Sequence, residues 1–259
     1  MDDVQFTPSR PYVELLPIFE DNYVFVLVNP ANSEALAVDP GEPHRLLKFL
    51  EEKNLTLKGI LLTHHHKDHI GGVKDLKNKL ADVPIWAPLK NKHQIPDATH
   101  YVEEGHNFDV ASFKFSVMEL PGHTLGHVAY WLNDNRWLFS GDVLFGLGCG
   151  RLFEGTPDQA YESLGRLKKL PPETLVYCTH EYTETNLRFC KMLSSMDDSP
   201  LRGDDEVLEL YENELVNKRS LGLPSVPLKL SIEIMVNPFL LARNVKQFAN
   251  LRELRNMQR

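Results

Sequence analysis

Up to about residue 182 the chain is punctuated by short, mostly apolar runs, among them YVELLPI (12–18), YVFVLVN (23–29), ALAVDPG (35–41) and GILLT (59–63). Runs of this length bounded by turn residues predict buried strands. HRLLKFLEEKN (44–54) breaks the series, because Leu46, Leu47, Phe49 and Leu50 recur at the spacing of one helix face. The order so far is strand, helix, strand. PIWAP (84–88), FKFSVMEL (113–120), HVAYWL (127–132), RWLFSGD (136–142) and TLVYCTH (174–180) predict further strands, with a helix over PDQAYESLGRLKKL (157–170) ahead of the last. From about residue 183 the period becomes helical, in TETNLRFCKML and DDEVLELYENELVNKRSLG, and strand-like runs become scarce. The pattern predicts a mixed α/β domain over 1–182 and a mostly helical region over 183–259, with no internal repeat.

Composition narrows the functional classes. A chain of 259 residues, 42% hydrophobic and 25% charged, is long and apolar enough for a sizeable core. Its formal net charge of -8 weighs against a general nucleic-acid surface. Cys149, Cys178 and Cys190 are too few and too scattered for a disulfide framework, and they fit a reducing compartment. The start, MDDVQFTPSRPYVELL, is acidic and lacks a signal or transit pattern. No apolar run approaches the ~20 residues of a membrane helix. A soluble cytoplasmic protein with neither a membrane nor a nucleic-acid partner is expected.

Candidate chemistry begins at THHHKDHIGG (63–72), where His64, His65, His66, Asp68 and His69 crowd together directly after GILLT. Open α/β sheets collect ligand-binding groups at strand ends. In an extended chain, side chains at i and i+2 point the same way, so His64 and His66 face one site while His65 points away. A helix starting near Lys67 puts Asp68 and His69 on its first turn, facing a second position, and Gly71 and Gly72 permit close backbone approach. The alternative is a solvated loop with incidental histidines, but so dense a cluster is most simply a set of metal ligands. Strand-end donors recur: His123 in LPGHTLGH, Asp142 in LFSGDVLFG and His180 in VYCTHEYT. Taken singly, each is compatible with a turn residue. Jointly with the cluster, they complete a donor set for two metals.

THHHKDH, PGHTLGH, SGD and THEYT, in this order, resemble the metallo-β-lactamase superfamily. Within it the chain is similar to glyoxalase II, the hydroxyacylglutathione hydrolases. That similarity runs from FEDNYVFVL and AVDPG through GDVLFGLGCGRLFEGT and CTHEYTETNLRF to NPFL and the terminal LRELR, essentially the whole chain. It implies an α/β metallo-β-lactamase αββα sandwich over 1–182 and a smaller, mostly helical substrate-binding domain over 183–259. By the same resemblance His64, His66 and His123 hold one divalent metal, Asp68, His69 and His180 a second, and Asp142 bridges them. Asp68 and Asp142 then serve catalysis, with a bridging hydroxide attacking the thioester carbonyl. Zinc is the expected metal, and iron or manganese suit the same nitrogen and oxygen donors. The implied substrate is S-D-lactoylglutathione or a related 2-hydroxyacylglutathione, hydrolysed to glutathione and D-lactate in the second step of methylglyoxal detoxification. Arg151, Tyr182, Arg252 and Arg255 are implied to bind the glutathione portion, on a chain expected to be a monomer.

The chain departs from the family in places. Arg255 stands where the family commonly has Lys, Phe153 where some relatives carry Tyr, and Leu241 where relatives often have Arg. Cys149 is expected to pack rather than react. A sulfur dioxygenase would usually lack the helical region, and a lactonase or β-lactamase would not need the cationic contacts. A nuclease is disfavoured by the acidic balance, and a non-catalytic metal-binding protein by the accompanying glutathione-type motifs.

Overall fold

The computed structural model describes residues 10–80, 82–196, 199–201 and 205–258, so the acidic start at 1–9 lies outside the described residues. The chain divides into two compact units, Met1–Ser116 and Val117–Arg259. No helix among the described residues is long and apolar enough to cross a membrane.

The first unit is built on a sheet of β1 (Tyr12–Ile18), β2 (Asn22–Asn29), β3 (Glu34–Val38), β4 (Thr56–Leu61), β5 (Ile85–Pro88) and β6 (His100–Val102), in that order across the sheet. The first three strands pair antiparallel, and β3 to β6 pair parallel. The parallel step from β3 to β4 is made by α1 (His44–Glu52), whose Leu46, Phe49 and Leu50 join Val24, Val26, Ala35 and Ile60 in the core. Burying one such leucine or phenylalanine contributes roughly 1.5–3 kcal/mol, so the helical stripe read from the sequence fixes where this helix docks. Beyond β4 lie α2 (Lys67–Ile70) and α3 (Val73–Lys79). Gly71 and Gly72 have no room for a side chain, since a Cβ there would meet the carbonyls of Gly41 and Pro40. β7 (Asn107–Val110) pairs antiparallel with β8 (Phe113–Glu119) before the unit boundary.

The register of β3 and β4 positions the chemistry. Val38 pairs with Leu61, so both strands end at one rim. The expected strand over 35–41 stops at Val38 because Asp39 turns left-handed, at φ 51°. The run expected as a strand over 59–63 instead starts at Thr56 and ends at Leu61.

In the second unit the sheet order is β14 (Leu228–Lys229), β13 (Leu175–Cys178), β10 (Trp137–Gly141), β9 (Val128–Leu132) and β8. β10 and β13 are parallel, with Gly141 paired to Cys178, so Asp142 and His180 follow strands that end together. A small ribbon of β11 (Leu144–Phe145) and β12 (Gly148–Cys149) follows β10. The helices are α4 (Pro157–Leu167), α5 (Thr183–Ser194), α6 (Asp205–Ser220), α7 (Leu230–Val236), α8 (Pro238–Leu241) and α9 (Val245–Met257). Thr156 and Gln159 form a reciprocal capping box ahead of Pro157 at the start of α4, the arrangement that satisfies orphan N–H groups at a helix start. Phe189, Phe239 and Phe248, from α5, α8 and α9, are buried against one another, with ring centroids 6.1 and 5.8 Å apart.

Candidate metal centre

The first unit brings together Asp39, Thr63, His64, His66, Asp68 and His69. The Asp39 carboxylate, 1% exposed, accepts from the Thr63 N–H at 2.8 Å, the Thr63 hydroxyl at 2.6 Å and His69 Nδ1 at 2.9 Å. A carboxylate can only accept, so His69 carries its proton on Nδ1 and turns the Nε2 lone pair outward. Thr63 sets His64 in the same way: its hydroxyl proton goes to Asp39, so Oγ1 accepts from His64 Nδ1 at 3.1 Å.

His66 is extended, at φ -65° and ψ 147°, and caps α2. Its Nδ1 lies 3.0 Å from His64 Nε2, and the rings of His64 and His69 are 4.0 Å apart. Asp68 sits in the first turn of α2, where its Oδ2 accepts from Asn22 Nδ2 at 3.0 Å and lies 3.5 Å from His69 Nε2. His65 turns instead to Asn91, with Nδ1 to Nδ2 at 3.1 Å.

The second unit gathers His123, Asp142 and His180, all buried. His123 Nδ1 donates to the Arg151 carbonyl at 2.7 Å, which sets the tautomer with its lone pair on Nε2, the nitrogen that faces Asp142. Asp142 Oδ2 lies 3.3 Å from His123 Nε2 and 3.4 Å from His180 Nε2. These separations are longer than the about 2.7–2.9 Å of charge-assisted hydrogen bonds, and the three atoms lie close enough together for one cation to be shared among them. The Asp142 N–H donates to Nε2 of the buried His127 at 3.1 Å, which fixes the backbone under the carboxylate. Imidazole nitrogen and carboxylate oxygen are the donors that zinc, iron and manganese accept. By that chemistry the residues fit a divalent metal.

The residues expected to bind substrate lie in the second unit. Arg151 is exposed, with its guanidinium 5.5 Å from the centre of the Phe153 ring. Tyr182 stacks on His180 at 4.7 Å and 6°. Arg252 is 7% exposed, donates from Nη1 to the Cys149 carbonyl at 2.7 Å and lies over Phe239. Arg255 is half-buried, and its Nε donates to Asn186 Oδ1 at 3.1 Å. Cys149 is buried, and burial pushes its thiol up from the ordinary range, as suits a packing residue.

Sequence reasoning missed Asp39, Asn22 and His127. Asp39 and His127 stood inside the quoted AVDPG and PGHTLGH segments, so a polar residue beside an apolar run was the available signal. Asn22 carried none.

A family model described as the metallo-β-lactamase superfamily matches residues 19–180, and one described as the hydroxyacylglutathione hydrolase C-terminus matches residues 181–258. The hydroxyacylglutathione hydrolase of Bdellovibrio bacteriovorus is 61% identical over 250 residues, covering 96% of this chain and 99% of that protein. Among solved structures, ETHE1 from Myxococcus xanthus superposes with a TM-score of 0.72 at 25% identity, over 96% of this chain and 92% of that one. TTHA1623 in a di-iron-bound form superposes with a TM-score of 0.54 at 32% identity, over 65% of this chain and 91% of that one.

Proposed function

Because the chain belongs to the metallo-β-lactamase superfamily and, within it, to the hydroxyacylglutathione hydrolases, we propose that its two donor clusters serve the hydrolysis of S-D-lactoylglutathione to glutathione and D-lactate. The fold is that of the superfamily with a helical C-terminal region, and the protein is a divalent-metal thioester hydrolase. One observation carries the substrate: a chain with the His and Asp donors also matches the hydroxyacylglutathione hydrolase C-terminus over 181–258.

In this reading His64, His66 and His123 would hold one metal, Asp68, His69 and His180 the other, and Asp142 would serve both. Zinc is the proposed metal, and the di-iron form of TTHA1623 supports iron as the alternative. Metal ions held there would supply a water with its pKa lowered toward ~7 and a positive field for the charge that develops on the carbonyl oxygen. Asp39 and Thr63 hold the His69 and His64 rings in their ligating tautomers. Asn22 anchors Asp68, which places that carboxylate where it would orient a water at the site. The leaving thiolate comes from a thiol of pKa about 8.5, so no side chain is assigned as general acid.

Glutathione carries two carboxylates and an ammonium. Arg151 and Tyr182 are proposed to hold its peptide backbone, and Arg252 and Arg255 its glycine carboxylate. Burial and the like charges of Arg252 and Arg188 hold the Arg255 guanidinium below the ordinary arginine range. A cationic cluster of that kind is relieved by an anionic ligand. The reading also takes 1–182 as the catalytic region and 183–259 as the substrate-binding region of a cytoplasmic monomer.

Arg255→Ala tests recognition, since Arg252 also bonds the Cys149 carbonyl. A remote contact made equally in the ground and transition states contributes uniform binding. The variant is expected to raise KM for S-D-lactoylglutathione about tenfold or more, the scale of one charge-assisted hydrogen bond, with kcat and metal content unchanged. A short thioester without the glycine carboxylate should be hydrolysed as by the wild type. Equal losses on both substrates would assign Arg255 to the fold instead.

A further inference from the structure

The β11–β12 ribbon joins Asp142 to Arg151, and side chains of the C-terminal helical region hold its main chain. Asn237 Nδ2 donates to the carbonyls of both Phe145 (3.1 Å) and Gly148 (3.0 Å). The Gly146 carbonyl accepts from Asn186 Nδ2 at 2.9 Å and the Cys149 carbonyl from Arg252 Nη1 at 2.7 Å. The Leu147 N–H donates to Glu233 Oε2 at 2.9 Å. Every residue from Phe145 to Cys149 thus has a main-chain group bonded to a side chain 40 to 103 residues further along.

The ribbon needs this support. Pairing of Phe145 with Gly148 leaves Gly146 and Leu147 to make the turn. The positive φ, 56°, falls on Leu147, a fully buried residue at the second turn position, where glycine or asparagine is usual. Strained backbone of this kind persists only where its surroundings over-determine it. A Cβ on Gly146 would run into Thr183, and one on Gly148 into Asn186, so these glycines admit α5 to the ribbon's backbone. The ribbon's two ends reach the metal ligands. It starts two residues after Asp142, and on leaving it the Arg151 carbonyl accepts from His123 Nδ1 at 2.7 Å.

We propose that Asn237 is a positioning residue for the metal centre: by bonding both sides of the Phe145–Gly148 turn, it sets the ribbon that aligns the Asp142 carboxylate with the His123 imidazole. The inference rests on the ligand assignment above. It gives the helical region a second role besides binding glutathione.

Asn237→Ser tests it. Serine keeps an oxygen to accept from the Phe239 N–H, as Asn237 Oδ1 does at 3.1 Å, and so retains the cap of α8, while both donations to the ribbon are lost. Zn²⁺ affinity would be read on the full chain by competition with a chromophoric chelator, with circular dichroism and thermal unfolding of the metal-free protein reporting the fold. The expected result is a metal dissociation constant raised about 10-fold to 100-fold, the scale of outer-shell partners. In addition kcat should fall and KM stay unchanged, for S-D-lactoylglutathione and for a short thioester alike. A dissociation constant within about twofold of the wild type, a difference too small to register as outer-shell coupling, overturns the inference even if the thermal midpoint drops. Asn237→Thr, which also keeps a capping oxygen and is too short to donate to either ribbon carbonyl, gives the same comparison should the serine variant not fold. Failure of both to fold would assign Asn237 to the fold and likewise overturn the inference. Wild-type protein that takes up no metal would overturn the underlying assignment before any variant is compared.

Discussion

Asp142→Ala is expected to empty both metal positions and lower kcat on S-D-lactoylglutathione by at least about 10³-fold, the scale on which losing one member of a catalytic set acts. Asp142 Oδ2 faces His123 Nε2 at 3.3 Å and His180 Nε2 at 3.4 Å, so it is the anionic donor of its cluster. On the proposed assignment, removing it leaves one position with imidazoles alone and the other with Asp68 as its one carboxylate, where a dication needs charge neutralised. The fold should survive, because the backbone N–H of residue 142 still has His127 Nε2 as acceptor. Metal content by elemental analysis, together with circular dichroism, separates loss of the site from loss of the fold. His65→Ala is the control, since that ring bonds Asn91 and holds no metal in this account. It should keep two metals per chain. A fully metallated and active Asp142→Ala would reject the bridging assignment.

Asp39→Ala should cost both stability and metal affinity. Three donors converge on this buried carboxylate: the Thr63 N–H, the Thr63 hydroxyl and His69 Nδ1. Each donor left buried and unsatisfied costs about 1–3 kcal/mol, against a total stability of about 5–15 kcal/mol for a typical domain. The left-handed backbone at φ 51° adds to the cost, because alanine lacks the local hydrogen bonding that lets aspartate sit there. With the His69 and His64 tautomers no longer held, metal affinity should fall about 10–100-fold. Thermal unfolding of the metal-free variant and a metal titration read the two effects separately. Asp39→Asn keeps one acceptor and the side-chain volume, so its thermal midpoint should fall less. Unchanged metal affinity in both variants would show that Asp39 serves only the sheet rim.

Much of the site was legible because its donors follow apolar runs. Strands were expected over 59–63, 136–142 and 174–180; they end one or two residues sooner, at Leu61, Gly141 and Cys178, and the donors at His64, Asp142 and His180 follow within a few residues. The helix near Lys67 was legible as well, and it places Asp68 in its first turn. What escaped depends on distant partners or on very short elements. Asp39 looked like the tail of an apolar strand, and its role becomes visible only with Thr63 and His69, 24 and 30 residues away. Arg252 lies near the chain end, and its burial against Cys149, 103 residues earlier, shows in no local pattern. β6, β11, β12 and β14 span three residues or fewer and cannot show a period of two. Glu233 reads as a polar residue on a helix, yet it is fully buried, accepting from Leu147, Tyr211 and Asn237. No local pattern signals that.

The most direct test loads metal-free protein with Zn²⁺ in measured increments and follows hydrolysis of S-D-lactoylglutathione by thiol release and D-lactate formation. The account predicts negligible turnover without metal and full kcat only as the second equivalent binds, with thiol and D-lactate appearing in equal amounts. Protein carrying two metals per chain that leaves this thioester intact, or that reaches full activity with one, would contradict it.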